Sequence, residues 1–104
     1  MILRDIAHTR SGDKGDTSNI SVIAFDPADY ELLRREVTSA RVKDVLGAMV
    51  QGEVERYELH QLGALNFVLH RALAGGVTRS LALDTHGKCL GSLLLSLKIE
   101  SAGR

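Results

Sequence analysis

Between Ile20 and Val37 the hydrophobic pattern changes period once, and that switch constrains the fold more than any other feature of the chain. Ile20 to Phe25 is a β-branched, apolar run bounded by Asn19 and Asp26, the pattern of a buried strand. Pro27 then occupies a first helical position with Asp26 as its N-cap, and Tyr30, Leu33 and Val37 follow at helical spacing in a helix over about 28–37. A strand feeding directly into a helix calls for a fold that packs helices on a sheet.

The remaining segments extend that reading. Ile2–Ala7 is expected as a first strand with Ile2 and Ile6 on its apolar side. Thr38 and Ser39 can cap a second helix carrying Val42, Val45, Leu46 and Met49, with Gly52 ending it. Val54–His60 alternates like a strand, with Tyr57 and Leu59 expected inward and Glu58 and His60 outward. A third helix is expected over about 62–73, stopped by Gly75-Gly76, followed by a strand over 77–84. In 85–97, Asp84-Thr-His-Gly-Lys88 can form a hairpin turn, but Leu90, Leu93, Leu94 and Leu97 fall at helical spacing, so a helix is favoured, with a short terminal strand over 97–100. Four strands and three or four helices in mixed order predict one α+β domain over 1–104. Its expected form is a ferredoxin-like sandwich, a four-stranded, largely antiparallel sheet with helices packed on one face.

Composition narrows the function classes. Among 104 residues, 44% are hydrophobic and one is proline, which argues for a folded globule with a modest core. Thirteen basic residues balance thirteen acidic ones, so the chain carries no electrostatic footprint for nucleic acid or an anionic membrane. Cys89 is the only cysteine, and no apolar stretch approaches the roughly 20 residues of a membrane span. A cytoplasmic protein is expected. Near-zero net charge weakens self-repulsion and leaves homo-oligomerisation open.

The densest group of function-capable side chains is Arg10-Ser-Gly-Asp-Lys-Gly-Asp-Thr-Ser-Asn19, which reads as a polar loop between two apolar runs. Gly12 and Gly15 let main-chain N–H groups face an anion, Lys14 or Arg10 can supply the countercharge, and Asp13 or Asp16 can orient those cations or act as a base. Ser11 and Asn19 add short hydrogen-bonding groups. The Walker A spacing is absent, and the alternative is a solvated loop with Asx-type turns. Asn66 falls in the apolar stripe of the expected third helix, where a buried amide needs a ligand or a structural partner. Thr78 and Arg79 follow the diglycine, and the Arg79 guanidinium suits a carboxylate or phosphate. His8, at a strand end beside the loop, is a candidate general base with Asp13 or Asp16. The histidines at 8, 60, 70 and 86 make no ligand spacing for zinc, so no metal or other cofactor is expected. Cys89 beside Lys88 reads first as a small core residue.

Taken in order, Arg10-Ser-Gly-Asp-Lys-Gly-Asp-x-x-Asn19, Arg56-Tyr-Glu-Leu, Leu62-Gly-Ala-Leu-Asn-Phe67, Gly75-Gly-Val-Thr-Arg-Ser-Leu81 and Asp84-x-x-Gly-Lys88 cover nearly the whole chain. This series resembles the AtuA-like family, in particular its C-terminal ferredoxin-like domain, named for acyclic terpene utilisation. A departure is His60-Gln61, where that family's pattern leads one to expect a pair such as Pro-Asn. The resemblance implies a role in catabolism of acyclic terpenes and related acyl-CoA compounds, beside a larger AtuA-type domain or subunit. It supplies no catalytic residue.

Three functions follow as expectations. The first is an accessory domain that binds an acyl-CoA or another anionic small molecule through Arg10, Ser11, Gly12, Asp13, Lys14, Gly15, Asn19, Asn66, Thr78 and Arg79. The second is a small enzyme using His8, Asp13 or Lys14 for hydration or isomerisation of an unsaturated acyl group. The third is a structural module whose polar loop fills an interface between copies.

Overall fold

Alternation along the strands decides which side of the molecule becomes its core. The computed structural model describes residues 1–14, 17–72 and 88–100, and for Asp13, Lys14, Ala48, Lys88 and Cys89 it describes the backbone only. In β2 (Thr17–Ala24), Ser18, Ile20 and Val22 are buried and Asn19 is exposed. In β4 (Ala64–Leu69), Leu65, Phe67 and Leu69 are fully buried while Asn66 and Val68 are partly open. Because successive side chains point to opposite faces of a strand, one face of the two central strands is mainly apolar, with Ser18 its polar exception. Burying each of those large side chains contributes about 1.5–3 kcal/mol.

Among the described residues, β1 (Ala7–Lys14) and β3 (Val54–Leu59) are the edges of a four-stranded sheet ordered β1-β2-β4-β3, with every pairing antiparallel. Three helices among the described residues pack against the mainly apolar face: α1 (Tyr30–Glu36), α2 (Ser39–Leu46) and α3 (Lys88–Leu94). Their Leu33, Val42, Leu46, Leu90 and Leu94 share one core with Ile20, Val22, Leu65, Phe67 and Leu69. This is the expected α+β, ferredoxin-like architecture.

The first two helices read from sequence are present, with their N-caps. Asp26 Oδ1 accepts from the Ala28 N–H at 3.0 Å, where a short 3-10 turn (Pro27–Asp29) leads into α1. Thr38 Oγ1 accepts from the Arg41 N–H at 3.2 Å. α2 stops earlier than expected: Gly47, at φ 57°, ends it in a conformation costly for other residues, and Gly52 lies beyond the helix. In 85–97 the described part is helical over Lys88–Leu94, and the terminal strand is reduced to a single bridge between Ile2 and Lys98.

Four expectations are corrected. Ile2–Ala7 is not a strand: Leu3–Asp5 forms a 3-10 turn, with the Asp5 carboxylate accepting from the Ile2 N–H at 2.9 Å, and the strand begins at Ala7. In the polar stretch 10–19, residues 10–14 and 17–19 are strand and not loop, within a hairpin paired from Ala7–Ala24 to Lys14–Thr17. The expected third helix is β4, because Leu65, Phe67 and Leu69 obey a period of two that the helical reading of Leu62, Asn66, Leu69 and Leu73 overlooked. Tyr57 and Leu59 face outward, 49% and 36% exposed, and Arg56 and Glu58 face the helices.

That last inversion has a specific cause. The Arg56 guanidinium donates to the carbonyls of Arg34 at 2.7 Å and Val37 at 2.9 Å, groups left without helical partners at the end of α1. Its other nitrogen pairs with Glu58 at 2.8 Å. A cation satisfying helix-end carbonyls thus takes the inward position that hydrophobicity alone would assign to Tyr57. The strand expected over 77–84 lies outside the described residues.

Candidate binding site on the open sheet face

With the helices on one side, the other side of the sheet faces outward, and the register places residues on it in rows across the four strands. His8, Ile23, Ala64 and Leu59 form one row, and Arg10, Ser21, Asn66 and Tyr57 the next. Gly12, Asn19, Val68 and Glu55 make a third. The first row is largely apolar and the second is polar from edge to edge.

A groove of about 420 Å³ runs over this face. Arg10, Gly12, Asn19 and Ser21 line its polar part, and Ile23, Leu59, Leu62 and Ala64 its apolar part. Leu62 is 70% exposed because it sits on the 3-10 turn His60–Leu62 that joins β3 to β4. Phe25, just beyond β2, is 61% exposed and stacks on the His8 ring at 5.4 Å between centroids. These side chains extend the apolar row past the end of the sheet, and exposed apolar groups gathered beside polar ones mark interaction sites more often than solitary ones do.

The polar row is oriented by its own hydrogen bonds. Ser21 Oγ donates to Asn66 Oδ1 at 3.0 Å, which turns the amide nitrogen of Asn66 away from Ser21 as a donor. Arg10 is exposed and makes no hydrogen bond or ion pair among the described residues. On the core side, Ser18, fully buried, donates from Oγ to the Gly12 carbonyl at 2.9 Å and fixes the hairpin there.

A second polar group adjoins the row at the β3 edge. The Tyr57 hydroxyl donates to Glu55 Oε1 at 2.5 Å, and His70 Nε2 lies 3.0 Å from Glu55 Oε2. Donation from Tyr57, then from His70, holds the Glu55 carboxyl below the usual carboxylate range. The same bond to Glu55 pushes the Tyr57 phenol above its ordinary value, so Tyr57 stays neutral.

The sequence candidates divide accordingly. Arg10, Gly12 and Asn19 come together at the groove, with Asn66 beside them in the same row as Arg10. Ser11 also borders the groove, although its register partner Ile20 belongs to the core side. Asp13 and Lys14 lie in β1, opposite Ser18 and Thr17. His8 and Asp13 are separated by five residues of extended strand, about 17 Å, so the hairpin does not bring this proposed acid–base pair together. Gly15, Asp16, Thr78 and Arg79 lie outside the described residues. Ser21, Ile23, Leu59, Leu62, Ala64 and the Tyr57–Glu55–His70 group were not singled out by sequence. A strand reading of 64–69 would have found most of them, since it places Asn66 against both Ser21 and Tyr57. No group of three or more metal-ligating side chains occurs among the described residues.

A family model described as the AtuA ferredoxin-like domain matches residues 1–100. No curated protein and no solved structure matches the chain. No described helix is long and apolar enough to cross a membrane.

Proposed function

From the premise that this chain belongs to the AtuA ferredoxin-like domain family, matched over residues 1–100, we propose that it is a ligand-binding accessory domain whose open sheet face holds an amphipathic anion. The ligand class is an acyl compound, a free carboxylate or a coenzyme A thioester, in an acyclic terpene or acyl-CoA catabolic system. The domain acts there beside a larger AtuA-type subunit.

One observation carries this reading: a polar row headed by the Arg10 guanidinium lies directly beside an apolar row extended by Leu59 and Leu62. A guanidinium binds a carboxylate or phosphate oxygen through charge-assisted, often paired hydrogen bonds. The Asn66 amide nitrogen adds a second donor in the same row. Ile23, Ala64, Leu59 and Leu62 offer a surface from which an acyl chain displaces water, worth about 25 cal/mol for each Å² covered.

Titration calorimetry with decanoate, decanoyl-CoA and the neutral control decanol tests it. Binding of either anion, weak binding of decanol and a loss of about tenfold or more in Arg10→Ala are the expected results. Leu62→Asp should weaken both anions with the fold intact, since Leu62 is 70% exposed. Absence of binding, or affinity indifferent to Arg10→Ala, would overturn the proposal.

A further inference from the structure

The Tyr57–Glu55–His70 group stands at one end of the polar row, and its hydrogen-bond directions define what that end can accept. Tyr57 Oη has one hydrogen, and it goes to Glu55 Oε1 at 2.5 Å. Glu55 is itself held from its other oxygen by His70 Nε2 at 3.0 Å. The phenol oxygen therefore presents lone pairs to its surroundings and has no hydrogen left to offer. Tyr57 is 49% exposed on the same face as the groove, two residues before Leu59 along β3 and directly opposite Asn66.

We propose that Tyr57, fixed by Glu55 and His70, selects ligands carrying a hydroxyl at the end of the chain remote from the anionic group. This inference rests on the binding function assigned above to the open face and deepens it by naming the ligand's second polar group. Arg10 on β1 and Tyr57 on β3 belong to one row at opposite edges of the sheet, three strand spacings or about 14 Å apart. Ile23, Ala64 and Leu59 lie alongside that row and line the groove. A chain anchored by its carboxylate at Arg10 crosses this apolar strip and brings its far end to Tyr57. There a hydroxyl donates to the phenol oxygen, whereas a methyl group strips water from that oxygen and returns no hydrogen bond.

The roles within the group differ. Tyr57 touches the ligand. Glu55 is a positioning residue that keeps the phenol hydrogen turned away, and His70 steadies Glu55. Removing Glu55 releases the phenol, whose oxygen is then no longer held at the end of the row, and its discrimination falls.

Calorimetric titration of the whole chain with 10-hydroxydecanoate and with decanoate provides the test. The parent is expected to bind the hydroxylated acid about three- to tenfold more tightly. Tyr57→Phe should abolish that ratio, with decanoate bound more tightly than by the parent because its methyl group no longer strips water from a phenol oxygen, a pattern that a damaged fold would not produce. Glu55→Ala should shrink the ratio while decanoate still binds. Equal affinities in the parent, or a ratio that survives Tyr57→Phe, would overturn the selectivity with the binding function left standing. A ratio untouched by Glu55→Ala would overturn the positioning role. Failure of both acids to bind the parent would remove the binding function and this inference together.

Discussion

At Gly91 a missing side chain sets how closely a helix can lie on the sheet. A Cβ there would sit 2.6 Å from Ser11 Oγ and 3.0 Å from Thr9 Oγ1, so α3 rests its backbone on the core-side hydroxyls of β1. Gly91→Val should cost about 1–3 kcal/mol of stability through overpacking, read as a lower urea midpoint with an unchanged slope. Asn66 teaches a related lesson about single residues. As a helix residue it is a lone amide in an apolar stripe. As the strand residue it is, Asn66 stands opposite Ser21, accepts its hydrogen bond at 3.0 Å and joins a row with Arg10. The sequence showed that this amide needed a partner, but only the strand register could say which.

Among the elements, α1 and α2 were legible because Asp26 and Thr38 announce their starts through local hydrogen bonding and Pro27 through its fixed φ. β4 was not, because over so few residues a run rich in leucine fits a period of 3.6 as readily as a period of two, and tertiary pairing decides between them. Ile20–Phe25 was legible as a strand, but the polar part of the β1–β2 hairpin was hidden for another reason. Apart from Ile23, the hairpin's outward positions lack large apolar side chains, and its inward ones include Thr9, Ser11 and Ser18, so hydrophobic alternation, the usual sign of a strand, is muted.

The junction of α1 and α2 carries a pH-sensitive tie. Glu36 accepts from the Glu100 N–H at 3.1 Å and pairs with Arg41 at 3.0 Å, while Arg41 also donates to the Lys98 carbonyl at 2.6 Å. The Glu100 N–H first, and then the arginines, hold the Glu36 carboxyl below its ordinary value of 4.5. The unfolded chain therefore binds this proton more readily than the folded one. The stabilisation is complete above the ordinary carboxylate range and is lost as pH falls below 4.5 towards the lowered folded value. Glu36→Gln should cost about 1–3 kcal/mol at pH 7. The gap from the parent should close in acid, and chemical denaturation across pH measures both.

On the scale of the whole molecule, the decisive property is one-sidedness. The described helices cover one face of the sheet, and the opposite face carries a groove with graded polarity. The architecture was legible from the mixed order of strands and helices together with their apolar content. The site was legible only in part: Arg10, Gly12, Asn19 and Asn66 were found as chemically able residues, but the groove they border is a product of register. Its apolar half could not be seen while Leu62 and Ala64 were read as helix.

Backbone amide chemical shifts, followed by NMR during titration with decanoate, test the central claim most directly. Saturable shifts concentrated in residues 8–12, 19–23 and 59–66, with α1 and α2 unmoved, are the predicted result. Shifts confined to the helical side, or none at concentrations where decanoate remains monomeric, would contradict a binding site on the open face.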